Sequence, residues 1–109
     1  MLTCIIRYQI DPYQTEAFAD YARNWGQAIP RCGADLIGYY APAEGSATLA
    51  YGIYTLPSLA AYEDYRARLR EDPLGRENYA FAKAHRFIHR EDRTFHTLVS
   101  APHAPQVAR

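Results

Sequence analysis

The sequence predicts an α+β fold: a four-stranded antiparallel sheet with helices on one face, in the order β-α-β-β-α-α-β. Three observations carry this. Residues 2–10 alternate in side-chain character and stop at Asp11-Pro12. Apolar residues then recur at helical spacing through Phe18, Tyr21, Ala22, Trp25 and Ile29. Finally, the stretch "ADLIGYYAPAEGSATLAYGIYTL" reads as a strand pair around a Pro- and Gly-containing link. With two helix starts and a last alternating run after it, the order is a ferredoxin-like split βαβ with one extra helix before the final strand.

Each element has its own reason. In the first strand Leu2, Cys4, Ile6, Tyr8 and Ile10 share a face, opposite Thr3, Ile5, Arg7 and Gln9. Asp11 offers a capping carboxylate and Pro12 a residue tolerated at a helix start, which predicts a helix over about 13–29, ended by Pro30 and Gly33. The central strands are expected at about 34–41 and 48–56, with Leu49, Tyr51 and Ile53 on one face of the latter. Gly38 and Gly52 fall inside them, where glycine marks a bulge, a bend or a close backbone approach. Ser58 caps a helix to about Arg70, and Asp72-Pro73 opens a separate one to about His89. "EDRTFHTLV" then alternates as the fourth strand, with Phe95, Thr97 and Val99 on one face. Residues 1–100 are expected to be one domain, and 101–109, with Pro102 and Pro105 and no periodicity, a disordered tail.

Composition narrows the function classes. Hydrophobic residues make up 49% of the 109, enough for a packed core. Twelve basic residues balance twelve acidic ones, so there is no basic excess for nucleic acid and no polybasic signal for anionic membranes. No apolar run approaches the ~18 residues of a membrane span. The start "MLTCIIRYQID" reads as a strand rather than a signal peptide. Cys4 and Cys32 make no disulfide framework; Cys4 is expected in the core and Cys32 partly exposed. The expectation is a soluble, cytoplasmic chain. Its ten tyrosines suit either a polar-edged cavity or simple strand filling.

Several side chains are candidates for a ligand site. On a wheel of the third helix, Asn78, His85 and His89 lie at roughly 60°, 40° and 80° from Phe81, a polar stripe beside the core face. Two histidines four apart supply half a metal site, but "HRFIH" lacks the Glu of the zincin pattern, so no metal is assigned. The stripe either borders a cleft or satisfies boundary positions near a helix end. His96, on the face opposite Phe95, meets either a ligand or a neighbouring strand. Trp25 serves either as core or as a ligand platform, and its N–H needs a partner if buried. Arg7 pairs with a carboxylate, binds an anion, or guards an edge. Tyr39 and Tyr40 face opposite ways, so Tyr40, Tyr51 and their neighbours divide between the helix side and the other face. No phosphate-cradling glycine loop and no nucleophile elbow is present, and no cofactor is implied.

The stretches "YQIDP", the Trp25 to Pro30 helix end, "GADLIGYY", "SLAAYEDYRARL" and "RFIHREDRTF", taken in order, resemble the NIPSNAP family of the dimeric α+β barrel superfamily, over about residues 3–98. The resemblance implies a subunit whose sheet packs on a partner's sheet to close a barrel. The family is linked in animals to vesicular transport and mitochondrial functions, and it has no agreed catalytic residues to carry over.

The expected function is a homodimer, joined through the sheet face, that binds a small, flat or aromatic molecule in a barrel cavity. Two alternatives stand beside it: a cofactor-free monooxygenase- or isomerase-like enzyme of the wider superfamily, and a protein-interaction module without a ligand. A titratable histidine with a shifted pKa, facing a cavity with Arg7 or a tyrosine, favours an enzyme, a cavity lined only by apolar groups simple binding, and a filled barrel the module.

Overall fold

The computed structural model describes residues 1–102, so most of the expected tail lies outside it. The elements are β1 (Leu2–Ile10), α1 (Thr15–Arg31), β2 (Asp35–Tyr40), β3 (Leu49–Leu56), α2 (Leu59–Glu71), α3 (Pro73–His85) and β4 (Ile88–Thr97). The four strands form one antiparallel sheet in the order β2-β3-β1-β4, and this α+β ferredoxin-like arrangement is the predicted one. No helix among the described residues is long and apolar enough to cross a membrane.

Register decides which side chains meet. On β1 the buried residues are Cys4, Ile6, Tyr8 and Ile10, the face on which the helices pack. Cross-strand partners share a face. Ala50, Gly52 and Tyr54 of β3 therefore lie on that side, as do Glu91, Arg93 and Phe95 of β4. Phe18, Tyr21, Trp25, Ala28 and Ile29 of α1 pack over it, with Tyr65 and Leu69 of α2. The opposite face carries Ile5, Arg7, Leu49, Tyr51, Ile53, Asp92, Thr94 and His96, and among the described residues no helix lies over it.

Local chemistry explains the boundaries. Asp72 accepts from the backbone N–H of Gly75 at 2.9 Å, so it caps α3 just where Pro73 sits in the first turn. Ser58 caps α2 through Ala61. Asp11 does not cap α1: its carboxylate accepts from Tyr13 N–H in a local turn, and the helix begins later, at Thr15. Pro30 lies within the last turn of α1, and Gly33, with φ +106°, makes the exit.

Two further expectations are corrected. The third helix stops at His85 rather than His89, because Arg86 adopts a left-handed conformation (φ 53°) and reverses the chain. Phe87 drops from that turn into the core, and Ile88 and His89 begin β4. The stripe joining Asn78, His85 and His89 on one helix therefore does not exist. Cys32 is buried rather than partly exposed, since it joins the hydrophobic core cluster.

Candidate functional site: a tyrosine-lined cleft under the helices

A cleft remains between the sheet and the helices that pack on it. It is lined by Tyr8 of β1, Tyr21 and Trp25 of α1, Tyr39 of β2, and Tyr54 of β3. Tyr65, Arg66 and Tyr79 close it from the helices, and Glu91 and Arg93 from β4. The enclosed space is about 20 Å³, room for a single water.

Its floor is aromatic and hydrogen bonded. The hydroxyls of Tyr8 and Tyr39 are 3.0 Å apart, and one must donate to the other, leaving the acceptor's own O–H free. Tyr8 stands edge-on to Phe18 (centroids 5.4 Å) and Tyr21 (6.2 Å), and Tyr21 stands edge-on to Trp25 (5.6 Å). Tyr65 covers Tyr54 at 5.1 Å. These contacts lock the rings in orientation. Burial holds the phenols in their neutral form: Tyr21 is pushed up to about 12, and Tyr8 and Tyr39 are raised well above the ordinary tyrosine value for the same reason.

Its wall is charged. Arg93 and Glu91 sit two apart on β4, both facing the helices, with Arg93 Nη2 3.4 Å from a Glu91 oxygen. Arg66 reaches over the ring of Tyr62 and 3.4 Å from its hydroxyl. Among the described residues, two buried polar atoms lining this cleft make no well-formed hydrogen bond: the indole Nε1 of Trp25, which lies close enough to the Tyr21 phenol to lower its pKa slightly against the effect of burial, and the Nε of Arg93. A buried donor without an acceptor is costly and rare, so each asks for an explanation. At the mouth, Tyr79 is 40% exposed and packs at 5.0 Å on Trp25.

Of the residues singled out in the sequence, Trp25 and Tyr39 line this cleft. Asn78 is fully buried and ties α3 to α1: its Nδ2 donates to the carbonyl of Tyr21 at 2.9 Å and its Oδ1 accepts from Asn24 at 3.1 Å. His85 is exposed and stacks on Phe81 at 4.6 Å, while its carbonyl accepts from Gln14. His89 is exposed at the start of β4. Arg7, Tyr51 and His96 all belong to the bare sheet face; Arg7 stands opposite Asp92 and Tyr51, and His96 bonds Thr94 at 2.8 Å. Tyr40, opposite Tyr51 on β2, is 51% exposed. Among the described residues, no three His, Cys, Asp or Glu gather as metal ligands. Sequence reasoning passed over Glu91 and Arg93. The signal was there: carrying the alternation of Phe95 back by twos puts both on its face.

The fold and the cleft together define an α+β ferredoxin-like domain with a polar aromatic pocket between sheet and helices. The NIPSNAP family profile matches residues 3–102, and the chain belongs to that family. A solved protein from Agrobacterium tumefaciens is similar at TM-score 0.78 and 19% identity, over 91% of this chain and 94% of that one. An uncharacterized NIPSNAP domain protein from Burkholderia xenovorans is similar at 0.70 and 21%, over 97% and 100%. SnoaB, a cofactor-independent oxygenase from Streptomyces nogalater, is similar at 0.56 and 15%, over 93% and 95%. At these identities the likeness is one of fold. No curated protein matches the sequence.

Proposed function

We propose that the protein is a cytoplasmic homodimer, joined through its bare sheet face, that binds a small flat molecule in the helix-side cleft of each subunit. The observation that carries the ligand reading is the pair of unpartnered donors, Trp25 Nε1 and Arg93 Nε, in a cleft walled by tyrosines. A pocket with a few convergent polar groups on apolar walls suits an oriented small ligand. The enclosed space takes a water and not a ring, so binding requires Tyr79 and Arg66 at the mouth to swing outward; such rotamer changes are common on binding. The dimer reading is supported by apolar side chains on the uncovered face, among them Ile5, Ile53 and Leu49, and by Ile37 and Tyr40 left 47% and 51% exposed at its β2 edge. This moves the expected ligand site from the space between two sheets to the space under the helices.

A second reading is a cofactor-free oxygenase acting in the same cleft. It is favoured by the neutral phenol pair Tyr8–Tyr39, which can donate to an oxygen of a bound aromatic without itself ionising. Oxygen uptake with an oxidisable phenol, lost in Tyr39→Phe, would support it. Native mass spectrometry of the protein from its own host tests the main reading. The expected mass is twice that of the chain, with small-molecule adducts; a clean apo monomer overturns it.

A further inference from the structure

We infer that the cleft selects a planar aromatic monoanion, whose oxygens accept from the indole N–H of Trp25 and the Nε–H of Arg93. This rests on the reading of the cleft as a small-molecule site and names the class of ligand it takes. Trp25 is only 3% exposed, and indole has a donor and no acceptor. Guanidinium likewise has donors only. Neither buried donor of the cleft has a well-formed acceptor among the described residues, so both favour a ligand that accepts, and a ligand group that donates would leave them as they are.

Charge points the same way. The ionised groups lining the cleft are Arg66, Arg93 and Glu91, which leaves one positive charge over. Glu91 does not use up Arg93: it reaches Nη2 at a long 3.4 Å and leaves Nε of the guanidinium free. A carboxylate or phenolate oxygen at Nε would satisfy it with a charge-assisted bond. Arg66 has only Tyr62 as a partner among the described residues, through its 3.4 Å contact, and stands ready to balance the anion. Shape is carried over from the small-molecule reading of the cleft, in which the rings of Tyr21, Tyr39, Tyr54 and Tyr65 wall it and suit an aromatic ligand. In the resting protein a single water can serve as the acceptor.

Trp25 is the sole tryptophan, so its fluorescence reports on this cleft alone. The test titrates the protein with benzoate, benzamide and benzylamine, three rings of like size with negative, neutral and positive substituents. Calorimetry checks each apparent affinity. A fourth arm, 4-cyanophenol on either side of its ionisation, separates phenolate from carboxylate. Benzoate or the phenolate should bind at least about tenfold more tightly than benzamide, as charge-assisted bonds dictate. Arg93→Gln should abolish the preference while benzamide binding is kept, and Arg66→Gln should weaken anion binding and its salt dependence. If Arg93→Gln does not fold, the Arg66→Gln variant at the rim carries the same test. Equal binding of benzoate and benzamide overturns the anion inference and leaves the pocket standing. Failure of every probe to bind overturns the pocket reading and the inference with it.

Discussion

The ring of Tyr39 lies across Gly52, its cross-strand partner, so closely that a Cβ on the glycine would stand 2.7 Å from two ring carbons. Only this missing side chain lets Tyr39 lean along the sheet and bring its hydroxyl to Tyr8. Gly52→Ala should therefore displace the ring, break the Tyr8–Tyr39 bond and cost about 1–3 kcal/mol, the range for overpacking a core. Urea unfolding of the variant measures it. Tyr39→Phe, which keeps the ring and loses the bond, should cost only about 1 kcal/mol.

Asp72 holds the junction of α2 and α3 by capping α3 and accepting two hydrogen bonds from Arg31, at 2.9 and 2.8 Å. Arg31 beside it, with the Gly75 N–H, holds its carboxyl below the usual carboxylate range. A lowered native pKa means that this stabilisation is complete above the ordinary carboxylate pKa of about 3.9 and is lost as pH falls through the native value. Asp72→Ala should cost about 1–2 kcal/mol at neutral pH through the lost cap. Asp72→Asn should keep most of the cap and show a shallower loss of stability below about pH 4, read from thermal melts across that range.

The buried tyrosines titrate in the opposite sense. Burial favours their neutral form and raises Tyr21 to about 12. That contribution is present in full below the ordinary tyrosine pKa of about 10 and lost as pH rises through about 12. Phenolate absorbance from Tyr8, Tyr21, Tyr39, Tyr54 and Tyr65 should appear in one cooperative step, together with loss of circular dichroism. A gradual rise with the fold intact would contradict the tight enclosure of these rings.

Asn78 and the two histidines separate structure from surface. Asn78→Ala removes the side-chain donor that ties α3 to the Tyr21 carbonyl and the acceptor of Asn24, and opens a hole, and should cost about 2–3 kcal/mol. His85→Ala with His89→Ala should change stability by no more than about 0.5 kcal/mol and leave probe binding at Trp25 untouched. A loss of binding in the double variant would place the histidines in the site after all.

Much of the fold was legible because its signals are local. Asp72-Pro73 and Ser58 announce helix starts through the donors they satisfy, and alternation announces β1 and β3 through the single face they bury. Helical spacing marked Trp25 as inward-facing, and its need for a partner marked it as a residue to watch. The end of α3 was not legible, since nothing local distinguishes Arg86 from a residue that continues a helix. Its left-handed turn is stabilised by the residue after it: Phe87 is pulled into the core against Phe18, Tyr21 and Phe81. The histidine pair lost its shared stripe for that reason.

The order of elements, the class of sheet and the family are all written in the amino-acid sequence. Short-range rules suffice for these: capping, spacing and alternation act over a few residues. Folding in three dimensions settles the rest: which tyrosines meet, that Gly52 is the space Tyr39 fills, and that Glu91 and Arg93 close a cleft with Trp25. Those relations depend on strand register and on how the helices sit over β4. Register couples residues far apart in the chain, as in Tyr8 and Glu91, through backbone hydrogen bonds that no local pattern encodes.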